Sequence, residues 1–179
     1  MYKIGLISAF ILLALMDVTF AGYEAGVAGH RSIFQGSLKE SQSGSCPQGT
    51  YAVGILVRGG QYVDRIYLQC KGSEGVKTGG GLSARNPLNM LHYNSREQSV
   101  FCRGSRRLTG IKFKAGGYVD RVASIRCQNS SGGDTEFLGV GIGGTGGNDV
   151  RAYCRTGDHV TSLVGFAGSW VDVVKVFCD

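Results

Sequence analysis

Apolar residues come in short bursts along this chain. Tyr51 to Val57 is one near-continuous run, broken only by Gly54, and Val63, Ile66 and Leu68 follow it after a turn at Gly59-Gly60. Further on, Ile111 and Phe113 alternate with Lys112 and Lys114, the signature of a half-exposed strand. Phe137 to Ile142 and Val150 to Tyr153 are similar short segments, as are Ser32 to Gln35 and Leu88 to Tyr93, while Gly79-Gly80-Gly81 and Gly143 to Gly147 read as glycine loops. No long window places apolar residues at i, i+3, i+4 and i+7. The pattern predicts an all-β chain of short strands joined by glycine turns.

One string recurs within this pattern. Gly60-Gln61-Tyr62-Val63-Asp64 returns as Gly116-Gly117-Tyr118-Val119-Asp120 and again as Gly168-Ser169-Trp170-Val171-Asp172. Each copy then runs through apolar residues into a cysteine: Cys70, Cys127 and Cys178. Counted from the opening cysteines Cys46, Cys102 and Cys154, the positions Gly54, Gly110 and Ser162 coincide, and the aspartates follow ten residues later. Only the second copy has an extra residue between its aspartate and its closing cysteine, which predicts a β-bulge. Three repeat cores, 46–70, 102–127 and 154–178, organise the chain.

Six cysteines allow fifteen pairings, but equivalent units make equivalent bridges, so the repeat predicts Cys46–Cys70, Cys102–Cys127 and Cys154–Cys178. Each should stabilise the fold by about 3–4 kcal/mol in the chain-entropy description. No cysteine is left over as a thiol nucleophile. No cysteine pair has the short spacing of a metal knuckle, and no metal or other cofactor is expected.

The start of the chain places the repeats in an oxidising compartment. Lys3, an apolar run from Ile4 to Met16, and small residues at Thr19 and Ala21 read as a signal peptide over 1–21, leaving 22–179 as one secreted domain. The apolar run is too short to span a membrane, and no second one follows. Composition fits: glycine is abundant at 30 residues and proline scarce at 2, as turn-rich β structure requires. The net charge of +6 is compatible with acidic glycans or anionic surfaces. Its densest local patch, Arg103-Gly104-Ser105-Arg106-Arg107, reads as a solvated turn.

Three register-matched Gly-x-aromatic-Val-Asp strings with glycine-rich loops resemble the jacalin-like lectins. The cysteine-bracketed unit, from Cys46-Pro47-x-Gly49 through Asp64 to Cys70, is also similar to the vitelline membrane outer layer protein. The resemblance covers most of the chain after residue 21. It implies a β-prism I fold, with three four-stranded Greek-key sheets around a pseudo-threefold axis. It further implies sugar-binding loops at Gly60, Gln61, Tyr62 and Asp64, at Gly116, Gly117, Tyr118 and Asp120, and at Gly168, Ser169, Trp170 and Asp172. The residue types suit that role. A carboxylate accepts charge-assisted bonds from adjacent sugar hydroxyls, an aromatic ring covers the C–H face of a pyranose, and glycine lets main chain approach. Trp170 offers the largest stacking face, and the third repeat is expected to have the richest glycine loop.

Other chemistries fit less well. Gly139-Val140-Gly141-Ile142-Gly143-Gly144 matches a dinucleotide-loop string but lacks the following helix and acidic residue. His30, His92 and His159 are isolated, and no nucleophile elbow is present. The expected function is a secreted, non-enzymatic, metal-independent lectin for cell-surface or extracellular glycans. No nucleic-acid partner is expected, and oligomer formation is left open. A structural coat protein of the vitelline membrane type is one alternative, with the aspartates acting as turn formers. A binder of sulfated glycans or anionic lipid is the other.

Overall fold

A computed structural model describes residues 22–29, 41–84 and 95–179. The 1–21 signal segment and the strands expected at Ser32–Gln35 and Leu88–Tyr93 lie outside these residues, as do His30 and His92. The described chain forms twelve strands: β1 (Tyr23–Ala28), β2 (Ser41–Ser45), β3 (Tyr51–Gly59), β4 (Val63–Gly72), β5 (Gly75–Ser83), β6 (Arg96–Phe101), β7 (Arg107–Ala115), β8 (Val119–Gln128), β9 (Thr135–Gly143), β10 (Asn148–Tyr153), β11 (Val160–Ala167) and β12 (Val171–Cys178).

They make three four-stranded antiparallel sheets. The first has the order β5-β4-β3-β6, the second β10-β7-β8-β9 and the third β1-β12-β11-β2. Each sheet has one repeat's hairpin at its centre and a flanking strand on either side. The third sheet combines the first two strands with the last two, and Tyr23 sits opposite Cys178. This is the expected β-prism. Alternation sends one face of every central strand inward, so Ile55, Ile66, Leu68, Ile111, Phe113, Ile125, Leu163 and Val174 share one buried cluster. No sheet could cover its inner face alone; three around an axis cover one another.

The bridges pair as the repeat predicts, Cys46–Cys70, Cys102–Cys127 and Cys154–Cys178, each joining the two ends of a repeat core. The extra residue of the second repeat is also found as a bulge. Lys112 pairs with Ser124 and Phe113 with Val122, which leaves Ala123 without a partner on β7.

Gly79-Gly80-Gly81 differs from expectation: it belongs to β5 and is not a loop. The reason is the prism edge, where β5 of the first sheet lies against β2 of the third. A methyl on Gly44 would fall 1.8 Å from Gly81 N and 2.0 Å from Gly80 C, so only glycine permits this backbone-to-backbone contact. These glycines serve strand packing.

Candidate functional site

The three Gly-x-aromatic loops share one conformation. In each, the glycine N–H donates to the carbonyl of the aromatic residue two positions on: Gly60 to Tyr62 at 3.1 Å, Gly116 to Tyr118 at 3.0 Å and Gly168 to Trp170 at 2.9 Å. All three sit at the same end of the prism, because each links the central hairpin of its sheet at the end remote from the disulfide. They are not dispersed to separate rims. The rings meet: Tyr62 lies 5.5 Å from Tyr118, edge-on at 61°, and 5.3 Å from Trp170 at 44°. All three rings are half-buried. Part of Trp170's stacking surface is therefore spent on Tyr62, while Gln61, Gly117 and Ser169 beside the rings are exposed.

The aspartates, equivalent in sequence, sit in three different environments. Asp172 is 2% exposed, and its Oδ2 accepts the Gly168 N–H at 3.1 Å, which ties the carboxylate to its own loop. Asp64 is also 2% exposed, and its Oδ1 is sealed without a hydrogen-bond donor. Burial pushes its carboxyl pKa up, against the opposing pull of Arg58 and Arg65.

Asp120 is half-exposed, yet its Oδ2 is sealed and has no donor. Its neighbours are backbone of the β9–β10 connection. Gly144 N–H donates to the Asp120 carbonyl at 2.8 Å, and Arg121 Nη1 donates to Gly144 O at 3.3 Å. Gly147, at φ +74°, approaches so closely that a methyl there would lie 2.5 Å from Asp120 Oδ2; one on Gly146 would lie 3.0 Å from Oδ1. On the other side, Gly144 abuts Gln61 of the first repeat. The carboxylate thus faces a wall of bare main chain built from two repeats. This glycine loop was expected to serve the third repeat and instead serves the second, because β9 pairs antiparallel with β8 and so ends beside β8's start. That antiparallel return was the signal in the sequence that would have placed it.

At the opposite end lie two clefts separated by the turn at Pro47–Thr50. One, of about 230 Å³, is bounded by Ser45, His159 and Ser162; the other, of about 420 Å³, by Ser73, Glu74 and Lys77. Burial, aided by Arg107, lowers the His159 pKa and keeps its ring neutral. Neither cleft contains any of the expected binding residues. Among the described residues no group of three or more His, Cys, Asp or Glu side chains is placed to hold a metal ion.

No protein-family model and no curated protein sequence matches the chain. Solved structures do. Frutalin from Artocarpus incisa aligns with a TM-score of 0.59 at 12% identity, over 91% of this chain and 99% of that one. Calystegia sepium agglutinin aligns at 0.60 and 17%, over 88% and 96%. An artocarpin–mannotriose complex aligns at 0.57 and 11%, over 88% and 97%. Identities this low speak to architecture alone, and the architecture is the β-prism that these jacalin-like lectins adopt.

Proposed function

We propose that the protein is a secreted carbohydrate-binding lectin that works without a metal or catalysis, with its principal sugar site at Asp120. The observation that carries this reading is the Asp120 carboxylate: half-exposed where its two counterparts are buried, with Oδ2 sealed against Gly147 and Oδ1 outside that seal, beside the bare main chain of Gly146. Sugar hydroxyls are the donors such a group lacks, and each charge-assisted bond to a carboxylate contributes about 1.5–3 kcal/mol. Gly116, Gly117 and Tyr118 form the near wall of the site and Gln61 its far rim. Asp172 holds its own loop and Asp64 is buried beside its own, with Gly60, Tyr62, Gly168, Ser169 and Trp170 framing the shared aromatic end. Mannose oligosaccharides, held in the artocarpin complexes, are the first ligands to test on cell-surface or extracellular glycans. Secretion is supported by the signal-like start and the three disulfides.

The test is a glycan array on the oxidised protein and on Asp120→Asn. Loss of roughly tenfold or more in affinity, with the circular dichroism spectrum unchanged, is expected if one charged bond is removed. Unchanged binding by Asp120→Asn refutes the site. The Asp172–Gly168 bond favours a second reading, a coat protein whose aspartates shape turns. Wild-type protein that binds no glycan on the array but incorporates into an extracellular matrix would support it.

A further inference from the structure

The charge of the molecule is concentrated on one face. The strand pairings of the second sheet bring its outward side chains into three rows. The first runs Asp149, Lys114, Arg121; the second Arg151, Lys112, Ser124; the third Tyr153, Gly110, Arg126, Phe137. Five cations share this face with one carboxylate, a surplus of four against a whole-chain net charge of +6. The other sheets show no such excess. On the first, Arg58 stands opposite Arg65, one like-charge pair against two on the second sheet, and Glu97 lies opposite Arg58 and 3.8 Å from Arg65; on the third, Lys175 meets Glu24 at 2.7 Å.

Two features resist explanation as an ordinary solvated surface. Lys112 stands directly opposite Arg151, and Lys114 directly opposite Arg121, like-charge pairings that destabilise a sheet. Asp149 compensates only partly, at 2.7 Å from Lys112 and 3.9 Å from Lys114. Among the described residues, Arg121, Arg126 and Arg151 have no carboxylate within ion-pair distance. Arg126 is the sharpest case. Its half-buried guanidinium lies 4.7 Å over the Tyr153 ring and donates only to neutral oxygens, among them Thr109 Oγ1 at 3.1 Å and Thr109 O at 2.9 Å. Burial accordingly pushes its pKa down. A partly desolvated cation whose hydrogen bonds all end on neutral oxygens attracts an anion.

The relief of the face narrows the class of anion. Two-residue steps along the strands and four strands across give a field about 13 Å by 14 Å, shallow where Gly139 lacks a side chain and is open to solvent. At its lower border Phe137, 59% exposed, lies 6.2 Å from Tyr153, an aromatic pair suited to the C–H face of a sugar ring. A bilayer would need a larger apolar patch to insert than this single phenylalanine supplies. We propose that the outer face of the second sheet is a docking surface for a linear anionic polysaccharide bearing sulfates or uronic acids. The arginines and lysines would take its anionic groups, and Phe137 with Tyr153 a ring between them. This face meets the loop at Asp120 through Arg121, whose Nη1 donates to Gly144 O, and the variants that test it leave that contact in place.

The experiment measures capture of the oxidised protein on immobilised heparin, with uncharged dextran and phosphatidylserine vesicles alongside. Wild type should bind heparin and not dextran, and should release as salt shortens the screening length from about 10 Å toward 3 Å. The double reversal Lys112→Glu with Arg151→Glu should weaken heparin binding by roughly tenfold or more, each exposed ion pair counting for up to about a factor of five. Lys71→Glu with Lys77→Glu, on the first sheet, changes net charge equally and should cost less than about threefold. Asp149→Asn removes the competing carboxylate and should tighten binding. If the double reversal fails to fold, Lys112→Gln with Arg151→Gln should still lose about threefold. The proposal is overturned if wild type does not bind heparin, if both reversals lose equally, if the face variants bind like wild type, or if only the lipid vesicles are bound. Heparin capture is scored apart from neutral glycans, so failure here leaves the Asp120 site untouched, and the reverse.

Discussion

Replacing Gly143 by alanine tests whether the glycine loop holds Asp120 where it is seen. Gly143 ends β9 at φ +109°, and a methyl group there would lie 2.2 Å from the Asp120 carbonyl oxygen and 2.8 Å from Arg121 Cα. Neither neighbour is a side-chain tip that can swing away; both are backbone of β8. The backbone conformation alone costs a residue with a side chain about 1–3 kcal/mol. Forcing the two strands apart adds about 1–3 kcal/mol and breaks the Gly144-to-Asp120 bond at 2.8 Å. A loss of about 2–6 kcal/mol is expected, a large share of a domain's usual 5–15 kcal/mol. The internal control lies four residues earlier on the same strand. A methyl on Gly139 meets nothing within 4 Å, and its φ is not positive. Gly139→Ala should therefore be neutral or stabilise by up to about 1 kcal/mol, since alanine restrains the unfolded chain. Urea unfolding of both variants, followed by tryptophan fluorescence with disulfides intact, gives the comparison. Midpoints that differ by less than the equivalent of about 1 kcal/mol would refute the assignment of the loop as a rigid wall.

Two further outcomes follow from other parts of the fold. Asp64 has its carboxyl pKa raised by burial above the ordinary 3.8, so folding favours its protonated form. Its contribution is thus fully favourable below the unfolded value and is lost as pH rises through the folded one. Asp64→Asn should remove that loss, so its stability relative to wild type should climb between acid and neutral pH; a flat or falling difference in urea midpoints over that range contradicts the burial argument. Removing one clip, as Cys154→Ala with Cys178→Ala, opens a connection of sequence separation 24 and should cost about 3–4 kcal/mol. A cost under about 1 kcal/mol by calorimetry would mean that the prism closes the third unit without it.

The repeat made much of the fold legible. Matching Cys46–Cys70 spacing in three copies was enough to pair six cysteines, and the one-residue excess before Cys127 marked the bulge at Ala123. What stayed hidden depended on contacts between units. Gly79-Gly80-Gly81 looks like a loop in isolation, and its need for glycine comes from Gly44, on a strand of another sheet. Tyr62, Tyr118 and Trp170 read as three independent platforms because nothing local says that the axis brings them together. The basic field was equally invisible. The conspicuous run Arg103 to Arg107 turns out to be mostly paired, with Arg103 on Glu136 and Arg106 on Asp134, while Arg107 keeps its charge and stacks on Tyr51. The unneutralised charges are spread over β7, β8 and β10, and only their register gathers them.

Why Asp120 stays accessible follows from the connection beside it. At each of the three aspartates, the chain leaving an outer strand touches that residue's own backbone: Ala84 N–H donates to Asp64 O at 2.7 Å, Gly144 N–H to Asp120 O at 2.8 Å, and Gly29 packs against Asp172 O. The geometry of departure is therefore shared. The connections then differ: residues 29–40 and 84–95 join β1 to β2 and β5 to β6, whereas 144–147 alone joins β9 to β10. Three of the four residues 144–147 are glycine, and the carboxylate beside them is the half-exposed one. With almost no side chains, that loop covers Asp120 through main chain alone: Gly147 seals Oδ2, and the rest of the carboxylate keeps its access. The next residue, Arg121, joins the outward basic row, so on β8 the neutral-sugar loop and the anionic field begin at consecutive positions.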